Sequence, residues 1–155
     1  MLLSLLLGFG HLGKLAAEPG AGLGQIVLFL RPVQFLQVGS QSELRCHSFC
    51  NQALGMHELP AERLHAIATE SEKATEPAFP EVARRLSVAL VACTVMDLDR
   101  VAGQVLTPSK FVLEAKGLPS IAEASAIVVA GRNARLLGAR VATERATCAI
   151  ATGEG

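Results

Sequence analysis

Three short groups of residues have the types and spacing to hold a ligand. Lys73 and Glu76 stand three apart in "EKATEP" (72–77), at what reads as a strand-to-helix junction. At the surface such a pair contributes about 0.5 kcal/mol, but at the carboxyl end of a strand in an α/β sheet the same junction is where ligands bind. Thr107-Pro108-Ser109 reads as a helix entry, with Thr107 as N-cap and Pro108 at the first helical position. Ser120 and Glu123 form S-x-x-E, a capping box in which the hydroxyl takes the amide of residue 123 and the carboxylate reaches back to the amide of residue 120. Capping alone explains each start. Together they place two helix N-termini, each with unpaired N–H groups and a partial positive charge, on either side of one short helix closed by Gly117. That pairing suits two carboxylates or phosphates of one ligand.

The elements that position these residues are legible from about residue 54 onward. "RLHAIAT" (63–69) is an apolar run that periodicity does not assign. In "EPAFPEVARRL" (76–86) apolar residues at 79, 82, 83 and 86 mark one helical face, with Pro77 in the first turn. "SVALVACTV" (87–95) is a β-branched run of strand length. "SKFVLEAKG" (109–117) and "SIAEASAIVVAG" (120–131) are helices, each closed by a glycine. "ARLLGARVA" (134–142) and "ATCAIA" (146–151) read as closing strands. Strands alternating with short helices imply a layered α/β domain, and 155 residues fit a single one.

The front of the chain is different. Residues 1–50 hold only five charged residues (Lys14, Glu18, Arg31, Glu43, Arg45), half of the glycines and four of the six phenylalanines, with no sustained helical period. "MLLSLLLGFGHLGKLAAE" resembles a secretory h-region without the basic residue that should precede it. "IVLFL" is far short of the roughly 20 apolar residues of a membrane span. The expectation is a cytoplasmic protein with no membrane partner.

Composition excludes several classes. Fourteen basic and 14 acidic residues cancel, so no basic surface for nucleic acid is expected, and the lack of Trp and Tyr removes most base-stacking. From that lack we also expect any contact with a flat ligand to be aliphatic. Cys46, Cys50, Cys93 and Cys148 are too scattered for a disulfide scaffold, and two of them sit in apolar runs where a thiol packs as a hydrophobe. Cys46, His47 and Cys50 lack a second ligand pair, with His57 and His65 standing singly, so no metal is expected. "GFGHLG" (8–13) matches a dinucleotide fingerprint only in letters, because Pro19 and Gly20 break the helix that should follow. No phosphate-binding loop and no nucleophile elbow occurs, and no cofactor is expected. Arg132, Arg135, Arg140 and Arg145 against Glu144 make a basic stretch, a solvated edge or an aid in holding a polyanion.

Read together, "ATESEKATEPAF" (68–79), "VLTPSKFVLEAKGLPSIAEASAIVVAG" (105–131) and "ATCAIA" resemble the family of the cobalamin-biosynthesis protein CobE and the C-terminal domain of the cobalt-precorrin hydrolase CbiG. The resemblance covers about residues 54–155. It implies a single-domain, three-layer α/β/α sandwich around a mostly parallel sheet, and a role in building the corrin ring. The implied ligand is a precorrin-type tetrapyrrole intermediate, bound or handed on, with other corrin-pathway enzymes as partners. Its carboxylates would meet Lys73, Glu76, Thr107, Ser109, Gly117, Ser120 and Glu123. If the chain is instead a lactone hydrolase like the larger CbiG relatives, Glu76 and Glu123 are the only acids in the motifs to serve as general base. An interaction module without ligand is the third reading. Family members begin with a strand, a glycine turn of the G-[IF]-G-x-R-x-G kind and an Ala/Glu-rich helix. Residues 1–50 show none of these, so this segment is expected to be divergent, out of frame or poorly ordered, with the family domain at 51–155.

Overall fold

A computed structural model describes residues 25–32, 40–143 and 146–155. Six strands form one sheet: β1 (Gln25–Pro32), β2 (Leu64–Glu70), β3 (Ala89–Cys93), β4 (Arg135–Leu136), β5 (Val141–Ala142) and β6 (Ala146–Gly153). The spatial order is β3-β2-β1-β6-β4, with β5 also paired to β6. β1 runs parallel to β2 and β2 to β3, whereas β6 is antiparallel to β1, β4 and β5. Five strands therefore point one way and β6 alone runs against them.

The helices are α1 (Ser40–Met56), α2 (Ser71–Ala74), α3 (Ala78–Leu86), α4 (Val95–Arg100), α5 (Lys110–Lys116) and α6 (Ile121–Ala130). Strand alternation sorts the core into two apolar clusters. Cys148 and Ile150 of β6 pack with Phe49, Leu54, Phe79 and Val82 from α1 and α3. Ala149 and Ala151 pack with Leu98, Val112, Ile121 and Ala124 from α4, α5 and α6. Alanine dominates the second cluster, and α6 lies close enough that its final carbonyl, on Ala130, would be 2.1 Å from any Cβ placed on Gly153 of β6.

The unassigned run 63–69 becomes β2, while 76–86, 109–117, 120–131 and 146–151 take the expected forms. Three expectations are corrected. The run 87–95 ends as a strand at Cys93, because Thr94 caps α4: its hydroxyl accepts from the Asp97 amide and Asp97 reaches back to the Thr94 amide at 3.4 Å. The stretch 134–142 is two short strands, not one, and Arg140 lies in the turn between them. The front segment does contain regular structure. β1 sits between β2 and β6, and α1 spans residue 50. The helical period of α1 was invisible because its buried residues Phe49, Cys50, Ala53 and Leu54 straddle the composition change. The strand and glycine turn sought in residues 1–10 fall outside the described residues.

Candidate functional site at the carboxyl edge of the sheet

β2 and β3 end at Glu70 and Cys93, which are register partners. α6 runs back from this edge, since its last residues meet the far end of β6. Its start, at Ser120, therefore lies with the strand ends, where α/β sheets bind ligands.

Glu123 organises this edge. It is fully buried, and both carboxylate oxygens are committed. Oε2 accepts from the amides of Leu106 (2.8 Å) and Thr107 (2.9 Å). Oε1 accepts from the Thr107 hydroxyl and from the Arg140 amide at 3.1 Å. The Arg140 guanidinium closes the network by donating from Nε to Thr107 Oγ1 at 3.0 Å. Four donors are what allows a buried carboxylate in a largely apolar helix.

This corrects two expectations. Ser120 accepts from the Glu123 amide at 3.4 Å, but the Glu123 carboxylate does not complete the box, because the 106–107 loop and Arg140 claim it. Thr107 is not an N-cap. Ser109 caps α5 by accepting from Val112 at 3.4 Å, and Pro108 precedes the cap. The register moves because Thr107 is held sideways by Glu123, which leaves the next hydroxyl to cap. The two helix starts do adjoin, since the Ser109 amide donates to the Pro119 carbonyl at 2.7 Å. Gly117 ends α5 at φ 70°, a left-handed position that favours glycine.

Lys73 and Glu76 form an ion pair within α2 and the turn after it. Sequence reasoning missed the group that joins this pair to the helix starts. Lys116, in the last turn of α5, donates to Glu70 Oε1 at 3.0 Å and to Glu72 Oε2 at 2.6 Å. The Lys116 hydrogen bond holds the exposed Glu72 below the usual carboxylate range, and Glu72, then Glu70, raise the Lys116 ammonium. Glu70 itself is buried, and its Oε2 has no partner among the described residues. The signal available in the sequence was a glutamate closing an apolar strand, which burial makes costly unless it is paired. Phe111 on α5 is 69 % exposed, so this edge also carries an aromatic side chain.

Burial pushes the Cys93 thiol up to about 11, against a smaller opposing effect of the Ser125 hydroxyl, and burial pushes Cys148 up further. Neither is poised as a nucleophile. Among the described residues no group of three or more His, Cys, Asp or Glu side chains is placed to hold a metal, and none of the helices is long and apolar enough to cross a membrane. A separate cavity of about 530 Å³ lies at the opposite edge, lined by His47, Glu62, Arg85 and Ser87 among others. It contains none of the residues singled out as ligand-binding in the sequence.

Residues 39–151 match the family described as Cobalamin synthesis G C-terminus. The chain belongs to this family. The match begins one residue before α1 and so takes in part of the segment set apart at 1–50. Protein CobE from Sinorhizobium sp is 31 % identical over 88 residues, which is 57 % of this chain and 57 % of CobE. Among solved structures the chain resembles CobE, a protein from the cobalamin (vitamin B12) biosynthetic pathway, with a TM-score of 0.72 and 27 % identity over 83 % of this chain and 90 % of that one. It also resembles the cobalamin biosynthesis protein chiG from Agrobacterium tumefaciens str. C58, with a TM-score of 0.62 and 26 % identity over 84 % and 99 % of the two chains.

Proposed function

We propose that this cobalamin-biosynthesis family member binds or hands on a precorrin-type tetrapyrrole at the carboxyl edge of its sheet, in the cytoplasm and in contact with other corrin-pathway enzymes. The observation that carries the reading is the adjoining pair of serine-capped helix starts, fixed to each other through Ser109 and Pro119 and backed by the Glu123 network. Lys73 and the Ser109 hydroxyl are the donors this edge offers to peripheral carboxylates, since both Thr107 donors go to Glu123, the Gly117 amide goes to Leu113 and Ser120 is buried. Exposed Phe111, Leu106 and Leu113 supply apolar surface for the ring. Binding is favoured over lactone hydrolysis at the expected acids: all of Glu123's oxygen capacity faces protein donors, and Glu76 faces Lys73. The three-layer α/β/α sandwich is part of the same proposal, supported by the separate clusters on alternate residues of β6. The divergent or out-of-frame reading of residues 1–50 belongs to the same proposal, with the family match taking in residues 39–50 of that segment.

A visible-absorbance titration with uroporphyrin, a polycarboxylate porphyrin, tests the function. Without Trp or Tyr the protein leaves the porphyrin spectrum clear. A saturable shift is expected, with Lys73→Ala weakening it about tenfold through loss of one charge-assisted contact. A wild-type spectrum unchanged at millimolar protein would end the reading.

A further inference from the structure

α5 is held to the domain unusually. Of its seven residues only Val112 is buried, while Phe111 and Leu113 stand exposed. Its ends are tied by carboxylates: Glu123 takes the amides just before it, and Glu70 takes Lys116 in its last turn. Gly103 lies ahead of it with open space around its Cα, and Gly117 follows in a left-handed conformation.

Beneath α5 lies an unsatisfied polar spot. Glu70 is 2 % exposed, and Oε2 has no partner among the described residues. Its register partner Cys93 shares an apolar cluster with Val112 of α5, so Glu70, Cys93 and α5 are on the same face of the sheet. A buried polar atom left unpaired costs about 1–3 kcal/mol, and a carboxylate oxygen only accepts. The missing partner is therefore a hydrogen-bond donor, and Lys116 already serves the other oxygen.

We propose that Glu70 is a covered ligand-binding acceptor: α5 is its lid, Lys116 is the latch, and lifting α5 lets Oε2 take an N–H or O–H donor of the ligand. The matching group is one with a donor beside an acceptor, such as a primary amide, whose N–H meets Glu70 and whose carbonyl meets Lys116. The identity of the ligand as a tetrapyrrole rests on the reading above; the latch does not.

The latch is tested on the full chain by iodoacetamide labelling resolved by peptide mass spectrometry. Cys93 belongs to the apolar cluster that includes Val112 of α5, whereas Cys148 is buried in the opposite cluster with α1 and α3. Lys116→Met is expected to speed Cys93 labelling about tenfold and leave Cys148 unchanged. Equal acceleration of both thiols, which reports global unfolding, or acceleration of neither overturns the lid. The acceptor is tested with dicyanocobinamide, most of whose side chains end in primary amides. Glu70→Gln should weaken its binding about tenfold, as a charge-assisted bond becomes a neutral one. Uroporphyrin binding to the wild-type chain without cobinamide binding, or equal cobinamide affinity in the variant, overturns the assignment. If neither macrocycle binds, the tetrapyrrole reading falls and takes the ligand assigned to Glu70 with it, while the lid still stands or falls on the labelling.

Discussion

Glu123→Gln isolates the network that shapes the candidate site. The change keeps the size and shape of the side chain but replaces one acceptor oxygen by an NH₂ donor. With the nitrogen at Oε2, it faces the amides of Leu106 and Thr107; at Oε1, it faces the Arg140 amide and the Thr107 hydroxyl, which already accepts from Arg140 Nε. Neither rotamer avoids a donor pointed at a donor. One or two unpaired N–H groups, together with weaker bonds to the remaining oxygen, amount to about 3 kcal/mol. In urea, with a slope of about 1.5 kcal/mol/M for a domain of this size, the midpoint should fall by about 2 M. Hydrogen exchange adds the local readout: the Leu106 and Thr107 amides should lose protection more than the core of β2. A loss below about 1 kcal/mol, with both amides as protected as before, would refute the claim that this carboxylate holds the 106–107 loop.

Two glycines and one thiol supply further tests. Gly153→Ala should cost about 3 kcal/mol, because its methyl meets the Ala130 carbonyl at 2.1 Å, whereas Gly117→Ala, strained only by its left-handed φ of 70° and with open surroundings, should cost about 1 kcal/mol; thermal unfolding of the two variants side by side gives the order. The Cys93 thiol is raised from 9.0 to about 11 in the folded state. Unfolded chains therefore release this proton first, and the stabilisation it gives is complete below pH 9 and is lost as the pH rises towards 11. Cys93→Ala should flatten that alkaline decline by about 2 kcal/mol relative to its own value at neutral pH, measured by denaturation at a series of pH values; an unchanged slope would contradict the burial of this thiol.

Much of the domain was legible because its elements carry local signals. α3 shows its apolar face, α5 and α6 end on glycines, and β3 and β6 are β-branched or alanine-rich runs bounded by polar residues. Other elements gave no local signal. The buried residues of α1 are split by a change in composition, and α4 is a single capped turn and a half that starts at the last residue of a run that looks like strand. The site shows the same division. Ser120 and Gly117 were readable because capping and stopping depend on neighbours in sequence, whereas the cap expected at Thr107 falls at Ser109. The partners of Glu123 lie 16 or 17 residues away and those of Lys116 lie 44 and 46 away, so no spacing rule finds them. The S-x-x-E motif drew attention to Glu123 but misdirected its carboxylate, because tertiary donors outcompeted the local amide.

The most direct test of the binding reading is a map of amide chemical shifts on titration with uroporphyrin. Binding at the carboxyl edge predicts shifts concentrated at residues 71–76, 105–109 and 117–123, with the amides around Glu62, Arg85 and Ser87 at the opposite edge unmoved. Shifts gathered at that opposite cavity instead, with the paired helix starts silent, would contradict it.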